Sequence, residues 1–295
     1  MTTPVFRFAP SPNGFLHLGH AASALLNARL AAESGGRFLL RIEDIDTTRC
    51  KPAFETAIRD DLAWLGLRWE EPVMRQSERF GCYREKLGEL ERRELLYPCF
   101  CTRRQIAAQA LLTNTSPSNH DPDGAPLYIG QCRNLSSHEV QARKAAGQPF
   151  VLRLAMDRAL ASINGPITWT ELDQHGASRT VIAQPRLWGD VVLLRKEFPA
   201  SYHLAVVIDD AAQGVTDIVR GEDLFQSTAV HRLLQRLLGL PEPRYRHHPL
   251  LRNPAGEKLS KSANSRSLRD LRAKDATPDD IRCMVHTEVP QLADA

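Results

Sequence analysis

At 295 residues the chain is long enough for a full hydrophobic core and for two domains. Hydrophobic residues make up 42% and charged residues 25% of it, an ordinary soluble composition. No run approaches the 18 apolar residues of a membrane span, and the first residues lack the apolar core of a signal peptide. These features exclude a membrane partner and indicate a cytoplasmic protein. The sequence has no heptad repeat or apolar stripe that would predict a dimer, so a monomer is expected.

The first predicted unit is a strand, a loop and a helix. Residues 5–8 form a short apolar strand, and residues 21–30 read as a helix with leucines on one face. His17 and His20 therefore fall in the loop and first turn, where unpaired backbone N–H groups and the helix dipole favour a phosphate. Gly19 between them would let a nucleotide approach the backbone closely. The alternative is that both histidines are capping or surface residues.

A second buried strand, residues 37–43, completes a βαβ unit and so predicts a parallel sheet. Glu43 ends this strand, at the edge of the sheet where ligands bind. Its carboxylate suits a cationic partner such as an amino group, or it caps the next helix. Residues 52–70 and 77–96 read as amphipathic packing helices.

Three cysteines bracket a long loop rich in Pro, Asn, Ser and Gly. Cys99 and Cys101 precede the loop, and Cys132 follows it. In a reducing compartment such a cluster suits a structural zinc, and three buried thiols are the alternative. A fourth ligand is needed: His120 is conventional, whereas Tyr128 would have to bind as a phenolate, which a cation can enforce.

The second half of the chain returns to an alternating pattern. Residues 149–200 read as a small strand-rich region, residues 202–208 as an apolar strand ending in two aspartates, and residues 217–220 as another strand. Residues 227–238 form a predicted helix that Gly239 ends. Residues 97–200 are therefore interpreted as an insertion between the two halves of one α/β domain.

The last motif is a loop with two lysines three residues apart. A strand near Leu250 is expected to run into a Pro- and Gly-containing loop that carries Lys258 and Lys261. Mobile ammonium groups on such a loop can follow the charge that develops on a departing pyrophosphate, or they are simply solvated. Residues 241–274 hold nine Lys or Arg against three Asp or Glu, which indicates either an RNA-facing surface or a solvated basic face.

Together these motifs resemble the class I aminoacyl-tRNA synthetases. His17-Leu-Gly-His20 is similar to their first signature, and Lys258-Leu-Ser-Lys-Ser262 is similar to their second. Three further segments are similar to the glutamyl-tRNA synthetase branch: Arg7-Phe-Ala-Pro-Ser11, Leu40-Arg-Ile-Glu-Asp44 and Ile218-Val-Arg-Gly-Glu-Asp223. In length and in its cysteine and tyrosine pattern the chain resembles the short glutamyl-Q tRNA(Asp) synthetase family, which has no anticodon-binding domain. The long loop between Cys101 and Tyr128 departs from that family.

The resemblance implies an α/β fold: a Rossmann-type doubly wound parallel sheet with an inserted, smaller, zinc-bearing acceptor-like domain. The implied divisions are the first half of the catalytic domain, the inserted domain, the second half, and a short C-terminal helical tail: residues 1–96, 97–200, 201–262 and 263–295.

The implied activity is tRNA-independent activation of L-glutamate with ATP and Mg, followed by transfer to the cyclopentene diol of queuosine at the wobble position of tRNA(Asp). Two alternatives remain open. One is a minimal glutamyl-tRNA synthetase that charges a tRNA 3′ end, and the other is an inactive RNA-binding relative.

The resemblance also assigns roles to individual residues. The glutamate pocket is implied to contain Arg7, Phe8, Ala9, Pro10, Ser11, Glu43, Tyr202 and Arg220. Catalysis and ATP binding are implied for His17, Gly19, His20, Lys258 and Lys261, and one structural zinc for Cys99, Cys101, Tyr128 and Cys132. Arg220 is expected to select glutamate, because a guanidinium grips a carboxylate at two points and gains little from a neutral amide. Alternatively, Tyr202 anchors a strand and Arg220 pairs with Glu222 or Asp223.

Overall fold

The computed structural model describes residues 3–112, 119–251 and 266–288. The strands in this part of the chain are β1 (Val5–Phe8), β2 (Arg37–Ile42), β3 (Glu70–Arg75), β4 (Leu96–Cys99), β5 (Val151–Leu154), β6 (Thr168–Leu172), β7 (Ser178–Ile182), β8 (Val192–Leu194), β9 (Asp217–Gly221) and β10 (Arg244–His248). The helices are α1 (Leu18–Glu33), α2 (Pro52–Trp64), α3 (Phe80–Arg92), α4 (Arg103–Leu112), α5 (Ser137–Ala145), α6 (Met156–Ala161), α7 (Tyr202–Ala212), α8 (Thr228–Leu238), α9 (Leu268–Arg272) and α10 (Pro278–Glu288).

Seven of these strands form one sheet in the order β3-β2-β1-β9-β10-β6-β7. Every pairing in it is parallel except that between β6 and β7. The first strand lies between β2, which follows it in the chain, and β9, which comes about 200 residues later, so the winding direction reverses beside β1. An open parallel sheet binds its ligands outside the carboxyl ends of the strands at such a point. The predicted Rossmann-type α/β fold is confirmed.

Apolar clusters cover both faces of this sheet. One cluster joins Phe6 and Leu40 of the sheet to α1, α2 and α10, and it includes Leu26 and Ile281. On the other face a cluster includes Leu39 and Tyr245 of the sheet, and a larger cluster joins α3, α7 and α8. Two covered faces explain why the central strands read as nearly continuous apolar runs.

A separate three-stranded antiparallel sheet has the order β4-β5-β8. All three of its strands come from residues 96–194, but the β6–β7 hairpin from the same stretch extends the large sheet. The stretch from 97 to 200 therefore contributes to both sheets, which the sequence pattern does not predict. The proposed bounds of an inserted domain remain a prediction.

The predicted strand over residues 202–208 is wrong, because these residues form the first two turns of α7 (Tyr202–Ala212). The helix begins with a side-chain cap, in which the Ser201 hydroxyl accepts from the backbone N–H of Leu204. Most of α7 is buried, so its apolar run lacks the polar face that distinguishes a surface helix from a strand.

Two predicted helices are also too long. The helix predicted over 52–70 ends at Trp64, and the chain then forms β3, an edge strand with few apolar residues. The helix predicted over 77–96 is α3, Phe80–Arg92, and Leu96 begins β4. The described residues contain no helix that is both long and apolar enough to span a membrane.

Candidate active site and metal centre

A cavity of about 620 Å³ lies at the carboxyl ends of β1, β2, β9 and β10. The predicted glutamate and nucleotide residues that line it are Arg7, Phe8, Ala9, Pro10, Ser11, His17, Gly19, His20, Glu43, Tyr202 and Arg220. They come from five separate segments of the chain. The cavity therefore brings together all the residues to which the resemblance assigns these two ligands, apart from the lysines.

Lys258 and Lys261 lie outside the described residues, as does most of the predicted loop around them. The strand that precedes this loop is β10, Arg244–His248, which ends two residues before Leu250. Leu250 and Leu251 line the cavity. The chain therefore enters the lysine loop from the cavity wall.

The two histidines cap α1, which begins three residues earlier than predicted. The backbone N–H of Gly19 donates to Nδ1 of His17 (3.1 Å), and that of His17 donates to Nδ1 of His20 (3.2 Å). Each Nδ1 is therefore an acceptor, which leaves the proton of the neutral ring on Nε2. Capping and phosphate binding are compatible, because the cap fixes two imidazoles with protonated Nε2 atoms at a helix N-terminus.

The structure gives a further reason for a glycine at position 19, which the sequence does not reveal. A Cβ at this position would lie 3.0 Å from Cε1 of His17. A side chain at this position would therefore crowd the His17 ring and require it to shift by a few tenths of an ångström.

A buried network of charges holds Arg7 and Glu43 at the cavity wall. Asp210 of α7 accepts from Nε of Arg7 (2.9 Å) and from Nη1 of Arg41 (2.7 Å). Arg41 also contacts Glu43 through Nη2 (3.2 Å). The network thus joins β1, β2 and α7, and it fixes the positions of two predicted glutamate ligands through two residues that sequence reasoning missed.

Glu43 is a carboxylate in a buried, cation-rich setting. Burial raises the pKa of Glu43, while Arg41 and Arg7 favour its charged form. Its alternative role as a helix cap is not found, because the N-cap of α2 is Lys51, without a side-chain cap bond. Glu43 is therefore positioned to meet a ligand cation.

Arg220 is buried and uses its donors on neutral acceptors. Nε donates to Nε2 of His247 (3.1 Å), and Nη1 lies 3.1 Å from Nδ1 of His231 and 3.4 Å from the Tyr202 hydroxyl. Nη2 donates to Oγ1 of Thr228 (2.7 Å) and to the backbone carbonyl at position 224 (3.1 Å). The alternative pairing of Arg220 with Glu222 or Asp223 is not among these contacts. Tyr202 begins a helix, so its alternative role as a strand anchor is also excluded.

The three clustered cysteines form a group that could hold a metal ion. The sulfur atoms of Cys99, Cys101 and Cys132 all lie within 4.8 Å of one another, and those of Cys101 and Cys132 are 3.6 Å apart. Tetrahedral zinc with thiolate ligands separates sulfur atoms by about 3.8 Å, so the spacing fits. Burial and the neighbouring thiols raise the pKa of Cys101 to about 12, and a cation would reverse this.

Tyr128 belongs to the same cluster, whereas His120 is exposed and outside it. The Tyr128 hydroxyl accepts from the backbone N–H of Cys132 (2.6 Å), and its ring packs among the cysteines. His120 forms an isolated bridge with Pro126, and it is not part of the metal-competent group found among the described residues.

The fold and the cavity define a catalytic domain of the class I aminoacyl-tRNA synthetase type. A family model described as tRNA synthetases class I (E and Q), catalytic domain, matches residues 5–286, and the chain belongs to that family.

Three relatives show where in that family the similarity is high. The glutamyl-Q tRNA(Asp) synthetase of Rhodobacter capsulatus is 48% identical over 290 residues, which are 95% of this chain and 99% of the relative. The glutamate–tRNA ligase of a Synechococcus strain is 38% identical over 93% of this chain but only 56% of the ligase. The crystal structure of the glutamate-tRNA synthetase from Elizabethkingia anophelis matches with a TM-score of 0.75 at 27% identity, over 96% of this chain and 61% of that one. The chain thus spans less than two thirds of either glutamate enzyme.

Proposed function

We propose that this chain activates L-glutamate with ATP, without needing tRNA, and transfers it to the cyclopentene diol of queuosine at the wobble position of tRNA(Asp). One observation carries the activation step: a single cavity is lined both by the capped histidine pair and by a buried arginine that has no carboxylate partner among the described residues. A phosphate site and a carboxylate-reading group in one cavity are what adenylation of an acidic amino acid requires.

In the first step the α-carboxylate of glutamate attacks the α-phosphorus of ATP, and pyrophosphate leaves. Such displacements depend mainly on positioning and on stabilising charge. His17 and His20 would donate from Nε2 to the phosphates at the start of α1. Lys258 and Lys261, outside the described residues, would neutralise the departing pyrophosphate.

Recognition of glutamate would involve both of its ends. Glu43, held by Arg41, would pair with the α-ammonium, and Arg220 with Tyr202 would meet the side-chain carboxylate. Arg7, Phe8, Ala9, Pro10 and Ser11 would form the wall between these ends. A neutral glutamine would leave the charge of Arg220 uncompensated, so the site favours glutamate.

In the second step a hydroxyl group of the diol attacks the carbonyl carbon of glutamyl-adenylate. An ester forms, AMP leaves, and the hydroxyl proton is released. The relative from R. capsulatus, named for glutamyl-Q tRNA(Asp), supports this acceptor by its 48% identity. The similarity to glutamate–tRNA ligases favours the second candidate, charging of a tRNA 3′ end. Either reaction belongs in the cytoplasm, and we propose that one chain is sufficient for it.

We further propose that the cysteine cluster binds one structural zinc, with Tyr128 as fourth ligand. The tyrosine hydroxyl already lies against Cys132, and the guanidinium of Arg153 is 4.1 Å from the centre of its ring. A cation over the ring and a metal beside the hydroxyl both favour the phenolate. The zinc would tie the loop before Tyr128 to β4.

The test of the activation step is exchange of labelled pyrophosphate into ATP by nuclease-treated protein. We expect exchange with glutamate, none with glutamine, and loss of exchange in Lys261→Ala. If exchange appears only when tRNA is added, the second candidate is favoured. Unchanged exchange in Lys261→Ala would remove the lysine loop from the mechanism.

A further inference from the structure

The guanidinium of Arg220 lies in a shell of neutral hydrogen-bond acceptors. Three side chains form this shell: His231 and Thr228 from α8, and His247 from β10. Thr228 and His231 are fully buried, and the side chain of His247 is 3% exposed. Each group lies within 3.1 Å of a different nitrogen of the guanidinium.

The shell fixes which nitrogen of each histidine carries the proton. A guanidinium can only donate, so Nε2 of His247 and Nδ1 of His231 must both be unprotonated acceptors. The remaining proton of His247 lies on Nδ1, which is 3.0 Å from both carboxylate oxygens of Glu171. The remaining proton of His231 lies on Nε2, 3.2 Å from Nδ1 of His203.

An acidic residue, Glu171, is hydrogen-bonded to this shell, and the imidazole of His247 lies between it and Arg220. It lies on β6 and also accepts from the backbone N–H of His247. Its negative charge therefore orients His247 rather than pairing directly with the guanidinium. No carboxylate of the described residues forms an ion pair with Arg220.

This arrangement holds Arg220 in place without cancelling its positive charge. A carboxylate partner would hold the arginine in place, but it would also cancel the charge that a substrate carboxylate needs. Neutral acceptors satisfy the buried N–H groups without cancelling the charge. The longest hydrogen bond of Arg220 is the one to the Tyr202 hydroxyl, at 3.4 Å. Both residues line the cavity, so this side of the guanidinium is where a substrate could bind.

We propose that His231, His247 and Thr228 are specificity-determining positioning residues, which hold Arg220 by neutral acceptors only and so leave its charge for the side-chain carboxylate of glutamate. The inference rests on the proposed function, since it assumes glutamate as the substrate. It predicts that a carboxylate placed in the shell occupies the position of the substrate's own charge and weakens glutamate binding.

The test compares His231→Asn with His231→Asp. These side chains have nearly the same size, and both place an oxygen close to the position of Nδ1 of His231, so they differ mainly in charge. In pyrophosphate exchange we expect the Asp variant to have a KM for glutamate at least about tenfold higher than that of the Asn variant. We expect the KM for ATP to be the same in both, and the preference for glutamate over glutamine to fall only in the Asp variant.

A purely structural role for His231 would affect both variants alike, so equal KM values for glutamate would overturn the proposal. If either variant does not fold, Thr228→Asn and Thr228→Asp form a second pair with the same expectation. Wild-type protein is assayed beside them. Absence of glutamate-dependent exchange in the wild type would contradict the proposed function, whereas equal Asn and Asp variants on an active background would contradict only this inference.

Discussion

Arg41 and Asp210 form a buried ion pair in which Nη1 of the arginine lies 2.7 Å from a carboxylate oxygen of the aspartate. The Arg41 side chain is 0% exposed and that of Asp210 is 4% exposed. The pair joins β2 to α7 beneath the cavity. Because Asp210 also holds Arg7 and Arg41 also holds Glu43, the pair determines where two walls of the cavity lie.

Arg41→Met should destabilise the protein strongly, because it leaves Asp210 and Glu43 buried with fewer positive partners. We expect a loss of about 3–5 kcal/mol in the free energy of unfolding, measured by urea denaturation. Arg37→Met is the matched control, since Arg37 begins the same strand and pairs at 2.5 Å with Glu70, both about half exposed. The control should lose about 1 kcal/mol or less. Equal losses would show that the Arg41 network is not a buried structural unit.

Arg220→Ala should weaken glutamate binding by at least ~2 kcal/mol, as truncation of one member of a desolvated charge pair usually does. The measurement is the KM for glutamate in pyrophosphate exchange. Arg244→Ala serves as the control, because Arg244 is half exposed on the adjacent strand and pairs with Asp217. A loss for Arg220 no larger than that of the control would mean that Arg220 has a structural role only.

The predictable parts of this molecule are those specified by local pattern. The first βαβ unit, the helix over 227–238 and the strand over 217–220 follow from apolar spacing and from the turn residues around them. Helix α7 is not predictable in this way, because burial on most sides removes its polar face, and only the Ser201 cap distinguishes it from a strand. Pairing of β6 with β10 joins segments about 75 residues apart and has no local signal.

The residues of the candidate site also fall into a predictable group and an unpredictable group. The motif residues were predictable, and the cavity brings together those that the structure describes, which excludes Lys258 and Lys261. Their supporting residues were not, because the side chains that hold Arg220 lie 8 to 27 residues further along the chain, on α8 and β10, where no local pattern pairs them with it. One signal was present: Arg41 is a charged residue inside an apolar strand, and such a residue needs a buried partner.

The metal site should depend on Tyr128 and not on His120. Tyr128→Phe removes the hydroxyl that lies against Cys132, whereas His120→Ala changes an exposed side chain outside the cysteine group. After dialysis against a weak chelator, elemental analysis should find about one zinc per chain in the wild type and in His120→Ala. We expect less zinc in Tyr128→Phe and least in Cys99→Ser. Zinc lost from His120→Ala but retained in Tyr128→Phe would reverse the ligand assignment.

The shell around Arg220 should make stability sensitive to acid. Burial lowers the pKa of His247 to about 4, although its hydrogen bond to Glu171 acts in the opposite direction. Burial and the positive charge of Arg220 together lower the pKa of His231 well below its ordinary value. In the unfolded chain both groups take up a proton near pH 6.5, so the unfolded state binds more protons between that pH and about 4. The free energy of unfolding therefore falls as the pH falls through this window.

The histidine contribution can be isolated by substitution. In His247→Gln the fall in unfolding free energy should be shallower by about 1.4 kcal/mol per pH unit, because one proton fewer is taken up on unfolding. The exposed His138→Gln variant should keep the wild-type slope. A wild-type slope in His247→Gln would mean that this imidazole is not kept neutral by the fold.

Glutamate activated in this cavity is proposed to reach the anticodon loop of an RNA. The direct measurement is to incubate the protein with ATP, labelled glutamate and tRNA(Asp) that contains queuosine, then cleave the RNA and separate the anticodon fragment from the 3′ fragment. We predict label on the anticodon fragment and none on tRNA(Asp) without queuosine. Label on the 3′ fragment, or labelling that does not depend on queuosine, would contradict the claim.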